Sequence, residues 1–185
     1  MHLEERRISG QTLYEGNIIT LQKDRVLLED NRESIREVVR HPGGVAVAAI
    51  DSDRTILFVR QYRYPYAATT LELPAGKLDI DGEAPDAAIV RELSEETGYR
   101  ANRWESLGII YPTPGYCDEV LHLYLATDLV LEREQHPDDG EFLDLVRIPL
   151  EQAVQSALSG ELKDAKTVVI LLKIALLLQQ GKLTV

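Results

Sequence analysis

The sequence predicts an α/β fold: a mixed β-sheet covered by helices, preceded by an antiparallel β-segment. Three observations predict it. Segments rich in β-branched residues mostly follow one another rather than alternating with helices, which favours a mixed sheet over a doubly wound one. Helical patterning appears at three places, 84–97, 150–158 and 164–180. The 185 residues are 44% hydrophobic, and a chain of that size buries about 70% of its surface on folding, enough for a core without staples.

The elements follow in order. Asn17 to Leu28 and Ser34 to Arg40 are strand-like, with Glu29-Asp30-Asn31-Arg32 as the turn between them. Gly44 to Ile50 is a continuous apolar run suited to a buried strand. Asp51-Ser52-Asp53-Arg54 turns into a strand over Thr55 to Gln61, and further strands are expected at Glu105 to Tyr111, Glu119 to Ala126 and Leu143 to Ile148. The last helix, Asp164 to Gln180, is apolar almost all round and is expected to be buried on most faces. Residues 1–41 form the N-terminal β-segment and 42–185 the main domain; no Pro/Gly/Ser linker, repeat or low-complexity tract interrupts them.

The formal net charge is −11. Such a surface repels phosphate backbones, so nucleic acid is not an expected partner. It also repels small anions unless a metal or an arginine cluster reverses the field locally. The longest apolar run, Val168 to Leu178, contains Lys173 and falls short of the roughly 20 residues that span a bilayer. Without a membrane span or leader pattern, the expected location is the cytoplasm. The lone Cys117 excludes an intramolecular disulfide and reads as a small packed residue.

The segment with chemical content runs from Leu73 to Tyr99. Pro85 suits a first helical turn and Gly98 a helix end. At about 100° per residue, Ile89, Val90, Leu93 and Thr97 share one side. Glu92, Glu95 and Glu96 share the other, with Arg91 at its edge. Three carboxylates spaced i, i+3, i+4 repel one another. A hard divalent cation such as Mg²⁺ or Mn²⁺ would relieve that repulsion and is itself drawn to carboxylates shared with phosphate. A solvated acidic face is the alternative. Leu73-Pro74-Ala75-Gly76 is a breaker able to turn a backbone carbonyl towards the acidic face.

Gly76, Glu83, Arg91-Glu92, Glu95-Glu96 and Gly98-Tyr99 resemble the Nudix hydrolase signature. That signature is Gly, five residues, Glu, seven residues, Arg-Glu, an aliphatic residue, any residue, Glu-Glu, any residue, Gly, then an aliphatic or aromatic residue. Every position from Glu83 fits. The departure is in front, where six residues, 77 to 82, separate Gly76 from Glu83. Arg60-Gln61-Tyr62-Arg63-Tyr64-Pro65, Glu72-Leu73-Pro74-Ala75-Gly76, Val39 to Gly43, Tyr111 to Gly115, Asp118-Glu119 and Asp164-Ala165-Lys166-Thr167 resemble the ADP-ribose pyrophosphatase branch.

The resemblance implies a Nudix-type α/β/α sandwich and metal-dependent hydrolysis of a nucleoside diphosphate linked to another moiety, ADP-ribose giving AMP and ribose 5-phosphate. The alternatives are another nucleotide sugar such as a GDP-sugar, an oxidised nucleoside diphosphate, or a ligand-binding module without turnover. It implies Glu92 and Glu96 as principal metal ligands, Glu95 assisting, and the Ala75 carbonyl completing a site for Mg²⁺ or Mn²⁺. Glu83 and Arg91 would orient the helix, placing Arg91 within the catalytic set beside Glu95. A base would come from the loop Glu132 to Glu141, where Glu141 is the candidate and Asp139 the runner-up; a lone loop histidine such as His136 is a weaker one. Arg63 suits bidentate contact with a diphosphate, or else an ordinary ion pair. Arg36 and Glu37 resemble residues that reach a nucleotide across a homodimer. Trp104 and the tyrosines are candidates for stacking on the base. The N-terminal strands, marginal as a lone two-stranded hairpin, are the expected dimer contact.

Overall fold

The computed structural model describes residues 2–137 and 140–185. The chain divides into two compact units, Met1–Gly43 with Tyr111–Val120, and Gly44–Ile110 with Leu121–Val185.

The first unit is an antiparallel sheet of β1 (Arg6–Glu15), β2 (Thr20–Leu27) and β3 (Glu33–Arg40), in that order. The turn before β3 holds Asn31 in the left-handed region, at φ 64°, which asparagine tolerates. Strand β1 is exposed along its whole length and has no buried face to impose an alternating pattern. That is why the sequence signals β2 and β3 but not β1. Only Asp24 and Val26 are buried among the described residues of these strands. Gly10 faces Asp24 across the β1–β2 ladder, and a Cβ there would lie 2.1 Å from the Asp24 carboxylate. Arg7 pairs with that carboxylate at 2.9 Å. Residues 111–120 join this unit through a bridge between Val39 and the half-buried Cys117, and through Arg40 on Asp118 at 2.9 Å.

The second unit holds two sheets. One is mixed, in the order β7 (Ala75–Lys77), β4 (Gly44–Ala49), β9 (Leu121–Leu131), β8 (Tyr99–Ile110), with β4 and β9 parallel. The other is antiparallel, in the order β10 (Leu143–Pro149), β5 (Thr55–Arg63), β6 (Ala68–Glu72). Helix α1 (Pro85–Thr97) covers one side, and α2 (Leu150–Leu158) and α3 (Ala165–Gln179) the other. This is the α/β/α arrangement expected from the sequence.

Strand β4 shows why its run is apolar throughout. Val45, Val47 and Ala49 pack with Ala88, Ile89 and Leu93 of α1. Ala46, Ala48 and Ile50 pack with Ile170, Leu171 and Ile174 of α3. A strand buried on both faces has no polar side to show. Two expectations need correction. On α1, Val90 is exposed, and Ala88 and Glu96 take buried positions instead. On α3, only one stripe is buried: Val169, Leu172 and Leu176 face outward, because the helix packs on the sheet from one side. Among the described residues no helix is long and apolar enough to cross a membrane.

Candidate active site

The site begins at the edge of the mixed sheet. Register puts Val45 opposite Gly76 and Ala46 opposite Ala75, and the Val47 N–H donates to the Pro74 carbonyl at 2.9 Å. Opposed residues in an antiparallel pair alternate between hydrogen-bonded and non-hydrogen-bonded. The 47–74 pair is of the bonded kind, so the 46–75 pair is of the other. The N–H and C=O of Ala75 therefore point away from β4, along the outer edge of β7. The N–H is met there by Glu96 Oε2 at 3.0 Å.

Gly76 sets how closely helix and strand approach. A Cβ at this position would lie 1.9 Å from the Glu92 carboxyl carbon. Only a glycine leaves Glu92 its place over β7.

Arg91 organises the exposed edge of the helix face. Its fork takes Glu83 at 3.1 and 2.9 Å, and one nitrogen meets Glu92 at 2.8 Å and Glu95 at 2.9 Å. The extra residue between Gly76 and Glu83 is absorbed in a turn closed by the Glu83 N–H on the Ile80 carbonyl, with Gly82 at φ 77°. Glu83 still reaches Arg91, and Gly76 still faces Glu92. The helix ends at Gly98, whose φ of 76° suits glycine. A Cβ there would strike the Arg133 carbonyl at 2.2 Å.

The electrostatics across this face are uneven. Glu96 is 4% exposed. Burial pushes its carboxyl up to about 8, and the charges of Glu92 and Glu141 add to the rise. Burial likewise lifts Glu92 to about 7, although Arg91 beside it opposes the change. Burying a carboxylate without a cation is costly, and the group takes up a proton instead.

Glu141 follows Gly140 at the exposed end of the 132–141 loop, and its charge is felt at both Glu92 and Glu96. With Arg60, Tyr62, Thr69 and Asp144 it lines a cleft of about 460 Å³. The loop is tied to the end of α1. Backbone N–H groups of Glu132 and Arg133 donate to the Gly98 carbonyl, the His136 N–H to the Glu95 carbonyl, and the Gln135 side chain to the Glu96 carbonyl. These contacts serve carbonyls that a helix end leaves without partners. Asp139, the runner-up base, lies outside the described residues.

Arg63 turns its fork onto Glu72, at 2.7 Å for both bonds. Glu72 also accepts from the Thr70 hydroxyl and from Lys166, and these donors hold it well below the usual carboxylate range against its burial. Arg36 and Glu37 lie on β3 of the first unit, where Arg36 pairs with Glu5. Trp104 packs edge-on to Tyr124, its N–H donating to the Ala101 carbonyl, so its ring is engaged in the fold. Sequence reasoning gave no role to Glu72, Asp164, Lys166 or Thr167. The available signal was Asp164 three residues ahead of Thr167, a helix-start pattern.

Glu92, Glu95, Glu96 and the Ala75 carbonyl are a hard oxygen donor set on one helix face and one strand edge. Among the described residues no three carboxylate, imidazole or thiol groups already converge as a metal cluster. Arg91 and the Ala75 amide hold the carboxylates instead. The residues fit a hard divalent cation all the same, because Glu96 is buried with a backbone amide as its hydrogen-bond donor and, among the described residues, no ion pair to a cation, Lys166 acting on it only through its field.

A helix bearing clustered carboxylates, packed on the edge of a mixed sheet inside an α/β/α sandwich, defines a class. The NUDIX domain model matches residues 40–169, and the nucleoside diphosphate sugar hydrolase N-terminal domain matches residues 5–39. The chain belongs to the Nudix hydrolase family, whose members generally use divalent metal ions. It is 41% identical over 166 residues to the ADP-ribose pyrophosphatase of Bacillus subtilis, covering 89% of each chain. It is 41% identical over 167 residues to the methanol dehydrogenase activator of Bacillus methanolicus, covering 90% of each. Its fold matches the crystal structure of an ADP compounds hydrolase at a TM-score of 0.83 and 24% identity, covering 99% of both chains.

Proposed function

We propose that this protein hydrolyses ADP-ribose to AMP and ribose 5-phosphate, with Mg²⁺ or Mn²⁺ held by Glu92, Glu95, Glu96 and the Ala75 carbonyl. The observation that carries the reading is the buried Glu96 carboxylate against the outer edge of β7, beside Glu92 and within the field of Glu141. Identity to an ADP-ribose pyrophosphatase over nearly the whole chain supports that substrate over a GDP-sugar or an oxidised nucleoside diphosphate. It also weighs against a binding module without turnover.

Water adds to one phosphorus, the bridging P–O bond breaks, and the proton of water leaves with a base while the departing phosphate takes up another. The divalent ion supplies charge neutralisation and a more acidic water. Glu141 is the base: it is exposed on the 132–141 loop, and its charge is felt at Glu92 and Glu96. Arg91 holds Glu92 and Glu95 in place while leaning on Glu83. Arg63, two of whose guanidinium nitrogens are held by Glu72, offers the diphosphate its remaining amino group.

The protein works in the cytoplasm as a homodimer joined through the β1–β3 sheet. That sheet leaves Ile8, Leu13, Tyr14 and Ile35 exposed, a surface a second copy would cover. Arg36 and Glu37 on β3 reach the nucleotide across that dimer.

A substrate panel with product identification tests the function. ADP-ribose is expected to give the highest kcat/KM, with AMP and ribose 5-phosphate as products and no turnover after chelation. A GDP-sugar turned over faster would replace the substrate, and no turnover of any diphosphate would end the enzymatic reading.

A further inference from the structure

Three residues follow Glu72, namely Leu73, Pro74 and Ala75, and each is fixed by a different element, the last of them by Glu96. The Val47 N–H holds the Pro74 carbonyl at 2.9 Å, and Glu96 holds the Ala75 N–H at 3.0 Å. The third hold comes from the far side of the sheet. The Leu73 N–H donates to the Thr167 hydroxyl oxygen at 2.9 Å, between residues 94 apart in sequence.

Thr167 is completely buried. Its hydroxyl proton is committed to Asp164 Oδ2 at 2.6 Å, which fixes the rotor and turns an oxygen lone pair to Leu73. Asp164 is the N-cap of α3 and also takes the Thr167 N–H at 3.1 Å. Its other oxygen accepts from Lys166 at 2.9 Å, and Lys166 reaches on to Glu72. The first turn of α3 thus grips two consecutive residues, Glu72 and Leu73.

Between that grip and Ala75 stands Pro74. Its ring fixes φ, so little backbone freedom remains to absorb a shift at Leu73 before it reaches Ala75. We infer that Thr167, oriented by Asp164, is a positioning residue that sets the Ala75 edge of the metal site from the opposite face of the sheet. This rests on the metal reading proposed above.

The test is Mn²⁺ affinity of the whole protein, measured by calorimetry without substrate. Thr167→Val keeps the shape and removes the acceptor. It is expected to weaken Mn²⁺ binding about 10-fold or more, the range seen when outer partners of metal ligands are lost. Thr167→Ser keeps the hydroxyl and should restore the affinity. Ile174→Val, deeper in α3 and also fully buried, should lower the thermal midpoint without changing affinity. If Thr167→Val proves unable to fold, Asp164→Asn keeps a good cap and loosens the same grip, and a fall in affinity is expected there too. Unchanged affinity in the folded variant, or equal losses in Thr167→Val and Ile174→Val, overturns the inference. Glu96→Gln separates the two levels. If it leaves Mn²⁺ binding intact, the metal assignment fails and this inference with it. If it weakens binding while Thr167→Val does not, this inference alone fails.

Discussion

Two carboxylates flank the segment Leu73–Ala75, and they are equally buried: Glu72 is 3% exposed and Glu96 4%. Their charge states are opposite. Glu72 has two cations and a hydroxyl around it, and its proton is held off far below the usual range. Glu96 has a backbone amide and two carboxylate neighbours, and its proton is retained up to about 8. Burial is therefore not what distinguishes a structural carboxylate from a functional one. The completeness of its charge partners is. A buried acid with its cations in place holds the fold together, and one without them is poised for a cation from outside.

The same substitution at the two positions should break this symmetry most visibly. Glu96→Gln can still accept from the Ala75 N–H and imitates the protonated acid already favoured at pH 7. Metal-free stability should hold or rise slightly. A metal's stabilisation of phosphoryl transfer is worth several kcal/mol, so turnover should fall about 10³-fold or more. Glu72→Gln leaves Arg63 and Lys166 facing a neutral group; Arg63 is partly exposed and Lys166 keeps Asp164, so the protein should be destabilised by less than the roughly 3–5 kcal/mol of a fully buried broken pair. Thermal midpoints and rates for both variants check the contrast. A destabilised Glu96→Gln beside a stable Glu72→Gln would reverse it.

Glu141→Gln sharpens the comparison by removing a third carboxylate that is exposed yet lies within the field of Glu96. A general base acts in the transition state, so kcat should fall about 10²-fold or more with KM little changed. Because Glu141 raises Glu96, its loss should also lower the apparent carboxyl titration of the metal-free protein. If kcat is near normal, Asp139→Asn becomes the next variant to measure.

The helix of the site was legible because its pattern is local. Pro85, the i, i+3, i+4 carboxylates and Gly98 sit within one short stretch and state their spacing directly. The breaker at Leu73-Pro74-Ala75-Gly76 signalled a turned carbonyl, but not that Ala75 begins an edge strand; a three-residue strand carries too little periodicity to show. Strand β1 was silent because it buries nothing. The Glu72–Lys166–Asp164–Thr167 network was illegible for another reason. Its partners are up to 94 residues apart, and no local pattern records which acid receives which cation. Nor did the helical arc show that Glu96 alone of its three acids would be sealed from water, since that depends on β7 lying against it.

The pH dependence of metal-free stability tests both halves of the contrast together. The carboxyl of Glu96 is raised from 4.5 to about 8, and that of Glu92 to about 7. A raised acid binds its proton more tightly folded than unfolded. Its contribution is complete below the unfolded value and is lost as pH climbs through the folded one. Glu72 is depressed, so its contribution is present above about 4.5 and is lost as pH falls towards its folded value. Metal-free protein should therefore be most stable near pH 5, with a gradual decline to pH 8 and a separate decline in acid. Saturating Mg²⁺ should flatten the decline towards pH 8 only, because cation binding favours the ionised forms of Glu92 and Glu96 and does nothing for Glu72. Glu96→Gln should flatten part of the same limb without metal. Thermal midpoints across pH 4–9, with Mg²⁺ and with chelator, measure both limbs. A metal-free midpoint that rises from pH 5 to pH 8 would mean that Glu96 is ionised at little cost, and the distinction drawn between the two buried carboxylates would collapse.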